Sequence, residues 1–378
     1  MAIISLGKIN KKILFSIFGG LFKLLADYIV RYIKNEHKIE FRTHPFIIGI
    51  NAGLGLCISF IPFLIFKRNY KFLYQNQITV NEQLIFNDSN DFFFAKSNKK
   101  HYSLLLFAFC DFTQKLLSFL YDSFDNFWIF DAPFILIFSY FILKMKLYTH
   151  HFVSLIFIII FGIGINVIHF LDQKKSSDFA FIILNTIVVE VLFSLEMVVA
   201  KYAMEYKFSS PYEICLVDGI FIFILNLILL IIFTFIPFSE IYYISKTEYE
   251  GKLYVDNIIQ YFTKITFIEV VSFLVSMISR FGFTIFSLLT TKYFTPSHVV
   301  IILIIGEFFF PFQNDNPLWK ILVQYGIYVL LIFVMLVFLE IIELNCFGLQ
   351  KNTEKNIIHR AAEMVSRVET DEESLRDE

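Results

Sequence analysis

The chain has 378 residues, of which 57 % are apolar and only 17 % charged, with a net charge of −2. Soluble chains carry about 25 % charged residues, so this composition, with a mean hydropathy of +0.66, points away from a water-soluble globular domain. A net charge this close to zero also gives no reason to expect a nucleic-acid partner or steering toward an acidic one.

A helix that crosses a hydrocarbon core of about 30 Å needs roughly 20 mainly apolar residues. Windows of that length predict ten membrane helices, at 13–33, 45–66, 102–121, 127–143, 149–171, 179–203, 212–237, 265–290, 296–312 and 318–342. Lys23 and Asp27 interrupt the first. No small-residue cleavage site follows Ile13–Leu25, so this segment is expected to be a helix of the bundle and not a signal peptide. The runs are continuous, whereas barrel strands would alternate over about ten residues, so helices are predicted throughout.

Little sequence lies outside these windows. Lys67–Lys100 and Phe238–Lys264 read as polar loops, and the stretch after Gln350 as an acidic, solvated tail with a helical turn or two near Ala361–Val365. None is large enough for a catalytic domain. Lys and Arg near the helix ends favour the side carrying both termini, which predicts that side as cytosolic. Glycosylation of the sequon Asn87-Asp88-Ser89 would invert that topology.

The expected plan is an all-α polytopic membrane protein of about ten helices in two inverted five-helix repeats. Its parts are a cytosolic N-tail (1–12), a first repeat (13–171), a linker (172–178), a second repeat (179–345) and an acidic cytosolic tail (346–378). Five is odd, so the second half enters the bilayer inverted. Inverted repeats that meet at a midplane site are a recurring transporter plan.

An ionisable side chain at the bilayer centre costs about 3 kcal/mol on insertion scales, so each one invites a functional reading. Asp111 and Lys115 stand four apart on the third segment and can form an ion pair on one face. Asp131 lies close to the start of the fourth, where it serves either as an interfacial cap or as a cavity carboxylate for an amine or a proton. Glu190 and Glu196 are six apart on the sixth segment, hence on different faces, and Glu190 is expected to be the one that meets a central cavity. Asp218 and Asn226 share a face of the seventh. Arg280 is the one arginine deep in a predicted helix, and Glu307 and Glu190 are its expected partners. For all of these, a structural ion pair or interhelix hydrogen bond is the plainer alternative.

The four cysteines, Cys57, Cys110, Cys215 and Cys346, stand apart without Cys-x-x-Cys or Cys/His spacing. They imply neither a disulfide framework nor a metal site, and no cofactor is expected. Gly49, Gly53, Gly55, Gly162 and Gly164 suit close helix approach, while Pro62, Pro133, Pro296 and Pro311 suit kinks or helix starts. No HExxH or GxSxG pattern points to an intramembrane enzyme.

Several short motifs occur in a telling order. His44-Pro45-Phe46 opens the second segment, with Phe41 upstream, and Leu25-Ala26-Asp27 falls within the first. Cys110-Asp111 with Thr113 lies in the third, Lys144-Met145-Lys146-Leu147 joins the fourth and fifth, and Gly162-Ile163-Gly164 lies in the fifth. Pro211 with Asp218-Gly219 marks the seventh and Thr291-Lys292 follows the eighth. Together these resemble the drug/metabolite transporter superfamily, and within it the F-type branch of the solute carrier 35 family of nucleotide-sugar-transporter-like proteins.

The resemblance implies a secondary transporter of an endomembrane such as the Golgi, lysosome or vacuole, moving a small polar organic solute by alternating access. A carboxylate such as Glu190 or Glu307 is a candidate carrier of a coupling proton. Where that branch often has an arginine in the fourth helix and another in the ninth, this chain has Asp131 and Glu307. That departure argues against an anionic, nucleotide-sugar-like cargo. It also admits an alternative, a non-transporting scaffold subunit that keeps the transporter fold. The expected partners are the lipid bilayer and a small solute, and a homodimer is among the arrangements such a bundle allows.

Overall fold

The computed structural model describes residues 14–25, 44–65, 98–120, 127–145, 149–170, 179–207, 209–237, 247–249, 252–308 and 318–338. The sequon at Asn87, the tails expected at 1–12 and 346–378 and the linker expected at 172–178 lie outside them.

The helices are α1 (Leu14–Leu25), α2 (Pro45–Cys57), α3 (Asn98–Leu120), α4 (Asp131–Ile142), α5 (Thr149–Phe170), α6 (Phe179–Tyr206), α7 (Pro211–Phe235), α8 (Phe267–Tyr293), α9 (Val299–Phe308) and α10 (Leu318–Phe338). Six spans among the described residues are long and apolar enough to cross a membrane: Pro45–Ile65 and those on α5, α6, α7, α8 and α10. Asp131–Ile142 and Leu14–Leu25 are shorter apolar helices. The chain therefore has an all-α, integral-membrane architecture.

The distribution of side chains fits a bilayer. Along α7, Ile220, Ile224, Ile228, Ile231 and Phe235 are exposed at steps of three or four, which makes one outward stripe. The opposite face buries Cys215, Asp218, Ile222 and Asn226. Such an outward stripe would be an aggregation surface in water and is at home against lipid.

Local sequence sets the helix ends. Ser210 accepts a hydrogen bond from the Glu213 N–H at 3.0 Å and Pro211 occupies the first turn, which starts α7. Thr266 and Glu269 form a capping box that starts α8. At the end of α4, Lys144 adopts a left-handed φ of 54° and the Met145 N–H reaches back to the Ser139 carbonyl at 3.3 Å, closing the helix.

Within the span that begins with α2, the helix breaks at Ile58 and Ser59. Their N–H groups donate to the carbonyls of Gly55 (3.1 Å) and Leu56 (3.0 Å) in tight three-residue turns. Pro62 has no N–H to offer the Ile58 carbonyl four residues back. That carbonyl accepts instead from the Ile61 N–H at 3.3 Å.

Packing pairs the helices in a regular way. The main contacts are α2 with α7, α3 with α6, α5 with α10, α4 with α6, α2 with α8 and α3 with α7. On α1, Phe18 and Phe22 stack on Phe286 of α8, Phe15 packs tilted against the same ring, and Gly19 sits against Ile302 of α9. The α2–α7 contact is a backbone contact: a Cβ on Gly53 would lie 2.6 Å from the Phe223 nitrogen, and one on Gly219 2.8 Å from the Cys57 nitrogen.

The 238–264 stretch read as a loop contains a hairpin, β1 (Thr247–Tyr249) with β2 (Lys252–Tyr254), and a short helix, Ile258–Lys264. Asp256, fully buried just before that helix, caps α2 from a distance. Its Oδ2 accepts from the N–H groups of Phe46 (2.9 Å) and Ile47 (3.3 Å), and its Oδ1 lies 2.7 Å from His44 Nδ1. At the far end of α8, the Lys201 ammonium donates to the carbonyls of Lys292 (3.1 Å) and Phe294 (2.7 Å) and pairs with Glu205 at 2.7 Å.

Candidate functional site

The interior of α3, α6, α7 and α8 is polar. Asp111 and Lys115, one turn apart on α3, are paired as their spacing predicts. Asp218 of α7 reaches the same place: its carboxyl faces Asp111 within the field of Lys115 and Glu196. Glu196 of α6 faces Asp111 and Lys115, and Lys115 also lies within the field of Arg280 on α8. Three carboxyls and Lys115 from three helices therefore lie within one another's field inside the bundle, with Arg280 of α8 within the field of Lys115.

Their surroundings are apolar and tight. Asp218 is fully buried and Glu196 is 4 % exposed. Neither Asp218 oxygen meets a hydrogen-bond donor, nor does Glu196 Oε2. The Lys115 ammonium donates to Asp111. The break in α2 borders this cluster. Gly219, next to Asp218, packs on Leu56 and Cys57, and the Cys215 thiol donates to the Leu56 carbonyl at 3.7 Å. Cys57, Cys110 and Cys215 are free thiols.

A second polar group lies beside the first. Asp131, 1 % exposed in the first turn of α4, faces Glu190 across the α4–α6 contact. Its Oδ1 accepts from the Ser194 hydroxyl at 3.2 Å. The residue before α4 is Phe130, which makes no side-chain cap, so Asp131 is not the cap that its position suggested. It belongs to the interior.

Two sequence expectations change. Only one of Glu190 and Glu196 was expected to face inward. Both do, because α6 is covered on different sides by α4 and by α3, so each carboxyl finds its own neighbours. Glu196, not Glu190, joins the larger cluster. Arg280 was expected to pair with Glu190 or Glu307. Glu190 instead lies against Asp131, and among the described residues Arg280 makes no ion pair. Glu307 lies on α9, and its side chain falls outside the described residues. Asp218 and Asn226 do share the buried face of α7, but Asn226 is taken up by packing, its amide donating to the Ile222 carbonyl and its side chain wedged against Gly49.

No protein-family model and no curated protein sequence matches the chain. The site must therefore be read from its chemistry. It can hold a small polar solute by charge and can exchange protons through buried carboxyls.

Proposed function

We propose that the chain is a secondary transporter that moves a small polar organic solute across an endomembrane by alternating access, on the drug/metabolite transporter plan of two inverted five-helix repeats. The observation that carries this is the burial of Asp111, Lys115, Glu196 and Asp218 from three helices within one another's field, beside a broken helix. Ionisable groups inside a membrane are costly and mark solute or ion pathways. Broken helices near such groups are a recurring element of transporter sites.

The helix pairing supports the repeat. Exchanging α1–α5 with α6–α10 maps the α2–α7 and α5–α10 contacts onto themselves. It maps α3–α6 onto the observed α1–α8, α4–α6 onto α1–α9, and α2–α8 onto α3–α7. A pseudo-twofold of this kind lets the two halves rock about a site between them. Asp131 and Glu190, beside the main cluster but paired with each other, are the carboxyls we assign to a coupling proton.

The test is uptake into proteoliposomes from a mixture of small polar metabolites, read by mass spectrometry. Saturable accumulation of a solute, lost in Asp218→Asn with the protein still folded, is the expected result. Accumulation no greater than in empty liposomes would overturn the reading and favour the scaffold alternative.

A further inference from the structure

The segment that follows β2 lies across the start of α2 and is built as a piece of its own. Asn257 Oδ1 accepts from the N–H groups of Ile259 and Gln260, each at 3.0 Å, and so caps the short helix Ile258–Lys264 from within. At its far end Ile265 is extended, and the Thr266–Glu269 capping box starts α8 afresh. Among the described residues, four hydrogen bonds cross from 255–264 to the membrane helices. His44, Phe46 and Ile47 at the start of α2 bond to Asp256, and the Ile258 N–H donates to Thr234 Oγ1 of α7 at 3.3 Å. Three of the four end on one carboxylate.

Beneath the segment lies an apolar layer. Val255 is buried with Phe46 and Ile47 of α2 and Leu230 of α7, and Leu116 of α3 and Phe273 of α8 pack around them. The charged cluster lies deeper. α2 leads from Phe46 to Cys57, about 16 Å along the helix, and Cys57 lies against Gly219, the neighbour of Asp218. Leu116 follows Lys115 in the chain. The order inward from this end is therefore the segment, the apolar layer, then the charges.

A solute that reaches the cluster from this end needs that cover to move. Shifting the segment as one body keeps its internal bonds and gives up only the four that cross. Parting α2 from α7 instead would break a backbone contact along both helices. The extended residue Ile265 is a natural hinge between the segment and α8.

We propose that 255–264 is a gate, a strap that shuts the α2 end of the bundle and swings off it as one piece, with the bonds of Asp256 to His44, Phe46 and Ile47 as its latch. This gate rests on the transporter reading above and deepens it by naming the part that moves.

Hydrogen exchange on the full-length protein in lipid nanodiscs, read by mass spectrometry at single-amide resolution, follows the latch directly. The Phe46, Ile47 and Ile258 amides bond across the gap. They should exchange together, on the order of tenfold or more faster than those of Ile259 and Gln260, whose bonds travel with the strap. Asp256→Ala should speed all three, Ile258 included, and where that variant fails to fold, Asp256→Asn should do the same to a smaller extent. A fixed cap would lose protection at Phe46 and Ile47 alone. That result overturns the proposal, as does a single rate for all five amides.

A reversible lock tests the function. In a variant lacking the native thiols, His44→Cys and Tyr261→Cys, at positions whose rings stand 5.3 Å apart, are joined by a short, cleavable bifunctional thiol reagent. Uptake of the solute found with the metabolite mixture should be lost on joining and return on cleavage. Uptake that persists through the lock overturns the gate and leaves the transporter standing. If the mixture yields no solute, the transporter falls and the gate with it, whatever the exchange shows.

Discussion

His44 and Asp256, 212 positions apart, form one buried polar unit in which the Asp256 carboxylate caps α2 and holds the imidazole at 2.7 Å. The carboxylate sits at the positive end of the helix dipole and satisfies N–H groups that the start of a helix leaves open. Tyr261 of the short helix packs edge-on against the His44 ring. The segment between α7 and α8 is thereby fastened to the mouth of α2.

Removing that carboxylate should loosen both partners. Asp256→Ala leaves two N–H groups and the imidazole without their acceptor, at a cost of about 1–3 kcal/mol. The expected result is a lower unfolding temperature in detergent and faster proteolysis within 238–264. Asp256→Asn, which keeps one acceptor, should fall between the variant and wild type.

The same cap makes an alkaline prediction. Burial, with the Glu269 and Asp256 carboxylates adding to it, pushes the Tyr261 phenol up to about 12, above the ordinary value of about 10. Between those values the unfolded chain has lost a proton that the folded one keeps, so stability falls as pH rises through that window. The Tyr261 hydroxyl meets no partner. Tyr261→Phe should therefore unfold like wild type at pH 7 and lose less stability between about pH 10 and 12, read by thermal melts across pH.

Asp111 and Lys115 should behave as a unit. Breaking a buried ion pair by removing one partner costs about 3–5 kcal/mol, whereas removing both is far milder. Lys115→Met should be the worst single change, because it leaves Asp111, Glu196 and Asp218 facing one another. Asp111→Asn should cost less, and the double variant should melt well above the temperature that the two single losses would sum to. A double-mutant cycle on unfolding midpoints measures the coupling, and strict additivity would deny it.

Gly53 and Gly219 let α2 and α7 touch along their backbones. Gly53→Ala puts a methyl 2.6 Å from a main-chain nitrogen, where no rotamer change relieves it. The helices must separate, at a cost of about 1–3 kcal/mol. Gly326→Ala, which meets nothing within 4 Å, is the matched control. Equal melting temperatures for the two would show that the close approach carries no weight.

Much of the helical frame was legible because apolar run length reports membrane helices directly, and α2, α5, α6, α7, α8 and α10 fall within or close to the predicted windows. The Asp111–Lys115 pair was legible from its spacing alone. The role of Glu196 was not, since helical period separates it from Glu190 but cannot say that α6 is covered on both sides. The Asp256 cap was hidden for another reason. A carboxylate that serves a helix 210 positions away leaves no local signature, unlike the Ser210 and Thr266 caps beside their own helices. Arg280 was found by its burial cost, but which groups lie near it depends on how α8 packs against α2 and α6, which no periodicity encodes.

The central claim is that this cluster opens alternately to the two sides of a membrane. Ser276 lies one turn before Arg280 on α8 and is a small, buried reporter position. In a variant lacking the native thiols, Ser276→Cys can be challenged in sealed proteoliposomes of known orientation with a membrane-impermeant thiol reagent added on one side or the other. Alternating access predicts labelling from each side in turn, with a bound solute shifting the balance between them. Labelling from neither side, under conditions where the protein is folded, would contradict the account.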